Sequence, residues 1–373
     1  MKQTQAFLST YTADVSGVCS ALFELGGMTV MHDASGCNST YNTHDEPRWY
    51  DMDSLVYISG LSELEAVMGD DEKLISDVSD AARQLHPRFI ALAGTPIPMI
   101  TGCDLPAIAR EVEGRTNIPS FAVPSNGIGT YVAGAGQALR LYAERFITSR
   151  PEKRKNAVNI LGATPLDFSV NGCVQSMARR LEEAGFTLQS VFAMSSSIDA
   201  IDEAGAAEVN LVISSVGLPA AKYLQAQFGT PYVIGAPFGD FFSPYVFDAL
   251  RESIRTGAPT DVLGTFAPDA PDTVIVGESV TAKSLAAALA VGYGIGARVI
   301  CPVEAPDGVL GACDLRLEDE EEIEQALRGA RRVIADPLYR RIVPAKSEFY
   351  PLPHEAFSGR IYRRQIPNLA ERV

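Results

Sequence analysis

Residues 88–123, RFIALAGTPIPMITGCDLPAIAREVEGRTNIPSFAV, decide the fold. The apolar run Arg88–Ala93 reads as a strand that ends at the loop Gly94–Asp104. A helix over Leu105–Val112 and a second strand over Pro119–Val123 follow. Strand, helix, strand in this order is one repeat of a parallel sheet, because parallel neighbours need a crossover long enough to be a helix.

The same repeat runs outward in both directions. Upstream, Met28–Met31 and Ser54–Ile58 read as strands, and DEKLISDVSDAARQL over residues 71–85 alternates acidic and apolar positions at helical spacing. Downstream, Gly127–Phe146 reads as a glycine-rich loop and helix, and the basic linker Arg150–Lys155 closes a first unit. A second unit carries strands at Ala157–Gly162, Leu188–Phe192, Asn210–Ser214 and Thr230–Ile234, with helices at Val174–Ala184, Ile198–Ala207 and Pro219–Phe228. After the Pro, Ala and Thr-rich stretch Gly257–Asp272, a third unit carries the strands Thr273–Gly277, Ala297–Cys301 and Arg332–Ala335, the helix Thr281–Val291 and the tail Asp336–Tyr362. The expected class is α/β, with three Rossmann-like domains over residues 1–150, 151–268 and 269–373, each a mainly parallel sheet flanked by helices. In such sheets ligands lie beyond the carboxyl ends of the strands.

Composition narrows the function classes. A net charge of −15 without a Lys/Arg cluster on any one element excludes the footprint of a nucleic-acid binder. No run reaches the roughly 20 apolar residues that span a bilayer. The opening MKQTQAFLSTYTADVSG lacks a basic flank followed by an apolar core, so the cytoplasm is the expected location. The acidic run Glu318–Glu324 reads as a solvated helix start.

The chemistry is sought in residues 18–49, VCSALFELGGMTVMHDASGCNSTYNTHDEPRW. Cys19 and Cys37 bracket the strand Met28–Met31, and Cys37 closes the tight turn from His32. Cys103 lies in a later loop at the strand ends of the same unit. A [4Fe–4S] cluster needs four ligands, commonly thiolates, so two chains about a two-fold axis offer enough where one does not. The residues alone leave a second reading open, in which these are unrelated buried thiols.

Taken together, these segments resemble the nitrogenase component 1 superfamily. Cys19 followed by Met28–Cys37 is similar to the family's cysteine followed by a His-Gly-Pro-x-Gly-Cys turn, with Asp33-Ala34 in place of Gly-Pro. Asp70–Leu74 resembles its Gly-x-x-Lys-Leu helix start. Asn159–Gly162, and Asn210–Val212 with Gly229–Pro231, resemble its second Rossmann unit, and Pro353–Gly359 its histidine-containing closing loop. The resemblance implies a reductase subunit, a homodimer or a heterodimer with a similar subunit. An interface [4Fe–4S] cluster on Cys19 and Cys37 would be fed by an ATP-dependent iron–sulfur reductase resembling the nitrogenase iron protein. His32 would donate a hydrogen bond to a cluster sulfur, and Cys103 is a further candidate ligand, since Thr95 stands where the family has its third cysteine.

His354 matches the position that in true nitrogenase ligates the iron–molybdenum cofactor, and is expected to bind or protonate substrate here. The companion cysteine should fall near Ile213-Ser214-Ser215 and is absent, so dinitrogen reduction is not expected. No G-x-x-x-x-G-K-[ST] occurs, so the chain is not itself the ATPase. Two other functions fit the same residues: a non-catalytic scaffold for metallocofactor assembly, and a metal-free small-molecule binding protein.

Overall fold

The computed structural model describes residues 6–8, 11–36, 38, 46–266 and 271–373. The chain forms two compact units, Thr12–Arg145 and Phe146–Val373 with Met1–Tyr11. It holds three parallel sheets flanked by helices, and among the described residues no helix is long and apolar enough to cross a membrane.

In the unit Thr12–Arg145, β1 (Met28–His32), β2 (Leu55–Ile58), β3 (Ile90–Gly94) and β4 (Ser120–Val123) form one sheet in the order β2-β1-β3-β4. β1 runs in register with β3, Met28 opposite Ile90 and His32 opposite Gly94. Both strands are buried throughout, as expected of central strands in a sheet covered on both faces. The helix Asp71–Leu85 turns Leu74, Ile75, Val78 and Ala82 onto this sheet, where they pack with Ile108 and Val112 of the helix Leu105–Thr116. These positions recur at the 3.6-residue period, which is why the helix was legible from residue types.

The helix Asp14–Leu22 lies against Tyr131–Phe146 so closely that a Cβ on Gly134 would come within 1.9 Å of the Asp14 carbonyl oxygen. One on Gly17 would come within 2.3 Å of the Tyr131 carbonyl oxygen. The Asp14 carboxylate accepts the backbone N–H groups of Asn126 and Gly127 at 2.9 and 2.8 Å. Residues 94–104, expected as a loop, hold a short helix, Pro96–Thr101. Pro96 opens it, and Gly102 closes it in the left-handed region at φ +78°.

The second unit carries two sheets. One has the order β6-β5-β7-β8-β9, from β5 (Arg154–Leu161), β6 (Thr187–Val191), β7 (Ala207–Val212), β8 (Tyr232–Ile234) and β9 (Thr260–Asp261). A buried polar ladder crosses it: Ser190 Oγ donates to Asn159 Oδ1 at 2.7 Å, and Asn159 Nδ2 donates to Asn210 Oδ1 at 2.8 Å. The other has the order β12-β11-β10-β13-β14, from β10 (Thr273–Val276), β11 (Ala297–Cys301), β12 (Leu315–Arg316), β13 (Arg332–Ala335) and β14 (Glu348–Pro351). Glu278 joins the two. Its carboxylate caps the helix Ser279–Tyr293 through the N–H groups of Val280 and Thr281, and accepts a third from Ser215 beyond β7.

Candidate functional site

Loops beyond the carboxyl ends of strands converge at two places, one in each unit. In the unit Thr12–Arg145 they follow β1, β2 and β3. His32 Nδ1 lies 2.9 Å from Ser59 Oγ, and the Asp33 N–H donates to the same oxygen at 3.1 Å. Thr95 Oγ1 lies 2.8 Å from the His32 carbonyl oxygen and 2.9 Å from Asp33 Oδ1. The Thr95 hydroxyl is thus committed to holding the turn. Burial holds the His32 imidazole below its ordinary pKa, against the opposing pull of Asp71, Asp33 and Glu65.

The sequence candidates separate at this point. His32 and Cys103 line one cleft of about 410 Å³, together with Glu65, Asp70 and Asp71. Cys103 Sγ lies 3.7 Å from Asp71 Oδ1, and burial, then the Asp71 charge, push its thiol up to about 12. Cys19 does not reach this cleft. It sits in the helix Asp14–Leu22 with no exposed surface, and burial, aided by the Glu46 carboxylate, holds its thiol protonated far above the usual range. Cys37 lies outside the described residues. Among the described residues no group of three or more His, Cys, Asp and Glu side chains is placed to hold a metal ion. In one chain the described donors therefore do not fit a four-thiolate cluster.

Arg48 is a residue that the sequence reading passed over. It is buried, its Nε donates to Glu46 Oε1 at 2.6 Å, and its Nη1 meets Glu24 Oε1 at 2.9 Å. Its Nη2 donates to the Ser20 carbonyl oxygen at 2.7 Å, and its guanidinium lies 4.7 Å from the centre of the Phe23 ring. One planar fork ties the Glu46–Trp49 segment to the helix that carries Cys19.

In the second unit the converging loops follow β5, β8, β10 and β14. They enclose a cleft of about 570 Å³ whose walls include Asp167, Phe168, Cys173, Ile275, Leu285 and His354. His354 opens the short helix Glu355–Ser358, and its Nδ1 accepts the Ala356 N–H at 3.3 Å. Nδ1 as acceptor places the proton of the neutral ring on Nε2, which lies 3.5 Å from Asp167 Oδ1. Asp167 has no exposed side-chain surface, and its Oδ2 accepts the Ser214 hydroxyl at 2.5 Å. The His354 backbone is fixed in turn: its N–H donates to Asp336 Oδ2 at 2.9 Å, and its ring stacks on Phe357 at 4.4 Å. Behind it, burial raises the pKa of Glu355 while its partner Arg363 opposes the shift.

Cys173 is the first residue of the helix Cys173–Glu183. It is buried in the cleft wall, and burial pushes its thiol up to about 11. Asp167 is the residue that sequence reasoning missed here. Its only signal is its place just past Thr164-Pro165, a helix start immediately after β5.

Comparison with known proteins bears on the family and the fold. Residues 16–260 match the profile of the nitrogenase component 1 type oxidoreductases. The nitrogenase iron-molybdenum cofactor biosynthesis protein NifE of Methanosarcina barkeri is 28% identical over 196 residues, which are 49% of this chain and 42% of that protein. A subunit of the light-independent protochlorophyllide reductase of Nostoc punctiforme is 26% identical over 181 residues, 46% of this chain and 36% of that protein. The matches thus span less than half the length of these curated relatives. A solved structure described as nitrogenase Cp1 at pH 5 superposes with a TM-score of 0.60 at 16% identity, over 87% of this chain and 72% of that one, a likeness of fold. With well over half of its length inside the family profile, the chain belongs to the nitrogenase component 1 type oxidoreductases.

Proposed function

We propose that the chain is the substrate-binding subunit of a nitrogenase-like reductase, acting as a homodimer or with a similar second subunit. Its electrons would come from an ATP-dependent iron–sulfur reductase resembling the nitrogenase iron protein. The observation that carries the reading is the His354–Asp167 pair in the wall of an apolar cleft, 3.5 Å apart and shielded from water. Reduction consumes protons with electrons, and an imidazole in the cleft wall is suited to pass one on, taking up a proton and donating it as the imidazolium. The Asp167 carboxylate orients that imidazole and steadies its charged form, while Ser214 fixes Asp167. Because the Ser214 hydroxyl is committed in this way, the place where nitrogenase would offer a second cofactor thiolate serves a different purpose, and the reading excludes dinitrogen as substrate.

An interface [4Fe–4S] cluster, the group implied by the family, would supply one-electron transfer at low potential. The described residues of one chain do not assemble its site, so Cys19 with Cys37 and their counterparts in a partner chain are the donor set proposed. The burial of Cys19 favours a second reading, a metal-free member of the family that binds a small molecule in the His354 cleft.

Iron, acid-labile sulfide and oligomeric mass, measured on protein purified without oxygen, separate the two. About two irons per chain in a dimer would match one shared four-iron cluster. No iron after anaerobic reconstitution overturns the reductase reading. Turnover that depends on the iron–sulfur reductase and ATP then distinguishes a reductase from an assembly scaffold, the NifE relatives being named as cofactor biosynthesis proteins.

A further inference from the structure

The facing atoms of the His354–Asp167 pair are shielded from solvent. Asp167 has no exposed side-chain surface, and His354 Nε2 is buried. A substrate that meets this pair needs one wall of the cleft to move. Most of the walls belong to elements that would have to unfold first. Ile275 and Val276 lie on β10, the central strand of its sheet, and Thr281 and Leu285 lie on the helix that Glu278 caps. The His354 loop is pinned by Asp336, which accepts the His354 N–H and the Ser358 hydroxyl. Ile366, Pro367 and Leu369 belong instead to an irregular strap, residues 366–373, that follows the Arg363–Glu355 ion pair.

The strap is held mainly by side-chain bonds. Asn171 Nδ2 donates to the Ile366 and Pro367 carbonyl oxygens, both at 3.1 Å, and Asn368 Nδ2 donates to Ser176 Oγ at 3.1 Å. Glu371 accepts from Ser176 Oγ and from Arg179, each at 2.8 Å. The Arg179 and Glu371 side chains are 56% and 47% exposed, so their ion pair adds little. The Tyr293 hydroxyl donates to the Val373 carbonyl oxygen at 2.8 Å, and the Gly239 N–H donates to that of Leu369 at 3.0 Å. Ala370 is the strap's one fully buried residue. Few buried apolar contacts and bonds near the surface mark a segment that opens locally, well short of global unfolding.

We infer that the strap 366–373 is the gate of the His354 cleft. It lifts from the first turns of the helix Cys173–Glu183 while the surrounding sheets and helices stay folded, and its opening gives substrate access to His354 and Asp167. Cys173 reports that opening. Its thiol lies in the cleft wall, 4% exposed, with its sulfur against the backbone of Leu369 and Ala370. Burial pushes it up to about 11. With the strap displaced it returns toward the ordinary value of about 8.5, and the thiolate available for alkylation rises with it.

The inference rests on reading this cleft as the substrate site, and its test needs neither iron nor turnover. Separate samples of the full chain are treated with iodoacetamide and with diethyl pyrocarbonate, and the rates at Cys173, Cys301 and His354 are read by peptide mass spectrometry. In the parent chain Cys173 should label faster than Cys301, which is wholly buried on β11. Asn368→Ala removes the bond to Ser176. It should speed Cys173 and His354 together by about three- to tenfold, the usual worth of one hydrogen bond, with Cys301 unchanged. If that variant does not fold, Arg179→Gln gives up the exposed pair with Glu371 and should speed both by about twofold.

A rise at Cys173 with His354 unmoved overturns the inference, because the strap then opens without admitting anything to the pair. So does no change at either residue, or Cys301 labelling in step with Cys173, since no separate opening then exists. Iron is measured on the same sample. Iron-free protein in which Cys173 and His354 still speed up together sinks the reductase reading and leaves the gate standing, and iron-bearing protein in which neither moves does the opposite.

Discussion

His354 Nε2 lies 3.5 Å from Asp167 Oδ1, although the two residues belong to loops that follow strands of different sheets. The pair divides the work of the histidine between its two nitrogens. Nδ1 is spent on the Ala356 N–H, as a helix cap, and Nε2 faces Asp167. His354→Asn keeps a capping side chain, so it should cost no more than about 1 kcal/mol in stability. It removes the ring proton, and substrate reduction should fall by about 10²–10⁴-fold, the usual worth of a placed proton donor. Unchanged iron content with lost turnover is the expected result. Turnover within a few-fold of the parent would show that the proton comes from elsewhere.

Arg48 should be among the most costly single residues to lose. Its partners Glu46 and Ser20 are buried with it, and truncation leaves the Glu46 carboxylate buried without its guanidinium. Breaking a buried pair from one side typically costs about 3–5 kcal/mol, so Arg48→Ala should lower the denaturation midpoint strongly. Arg48→Lys restores a charge but not the fork that reaches two carboxylates and a carbonyl together, and should recover only part of the loss. Denaturation curves of the two variants side by side make the comparison.

His32 gives the unit Thr12–Arg145 a dependence on acid. Its folded pKa is depressed, so the unfolded chain binds a proton more readily than the folded one. The stability this contributes is present above the unfolded value near 6.5, and is lost as pH falls through the lower folded value. His32→Gln should flatten the stability profile between about pH 6.5 and the acid limb by up to one proton's slope. An unaltered slope in the variant would place the acid sensitivity in other groups.

The parallel sheets and the helix Asp71–Leu85 were legible in the chain because each rests on a period that residue types display locally. Elements held by a proline or a cap were harder. Pro96–Thr101 contains two prolines and reads as a loop, yet Pro96 at its start gives up no hydrogen bond that the helix would have made. The helix Gly239–Thr256 went unread because Pro244 lies inside it. There the Ser243 hydroxyl donates to the Gly239 carbonyl oxygen at 2.6 Å beside the bond the proline omits. The site was legible only by halves. His354 stands out by type and by resemblance, whereas Asp167 is one carboxylate among many until β5, β7 and β14 bring it to the histidine. The fate of Cys19 could not be read from spacing at all, because burial is a property of the packed helix.

Cys19 and Cys103 differ in ways that chemical modification and iron analysis can separate. With a thiol pushed up to about 12, Cys103 is almost wholly protonated at neutral pH, and its half-buried Sγ should react slowly with iodoacetamide. Part of that shift comes from Asp71, so Asp71→Asn should speed its alkylation. Cys19 should not react at all in the folded chain, having no exposed surface. Its replacement is therefore the sharper probe of the proposed cluster. If Cys19 only fills the core, Cys19→Ala removes one sulfur from a packed helix and costs roughly 1 kcal/mol, with dimer mass and iron unchanged. If it is a cluster ligand in the dimer, the same substitution strips iron from both chains at once and weakens their association, an effect that Cys37→Ala should reproduce and Cys173→Ala should not. The reductase reading expects the second pattern. Retention of full iron content by Cys19→Ala protein would remove Cys19 from the ligand set.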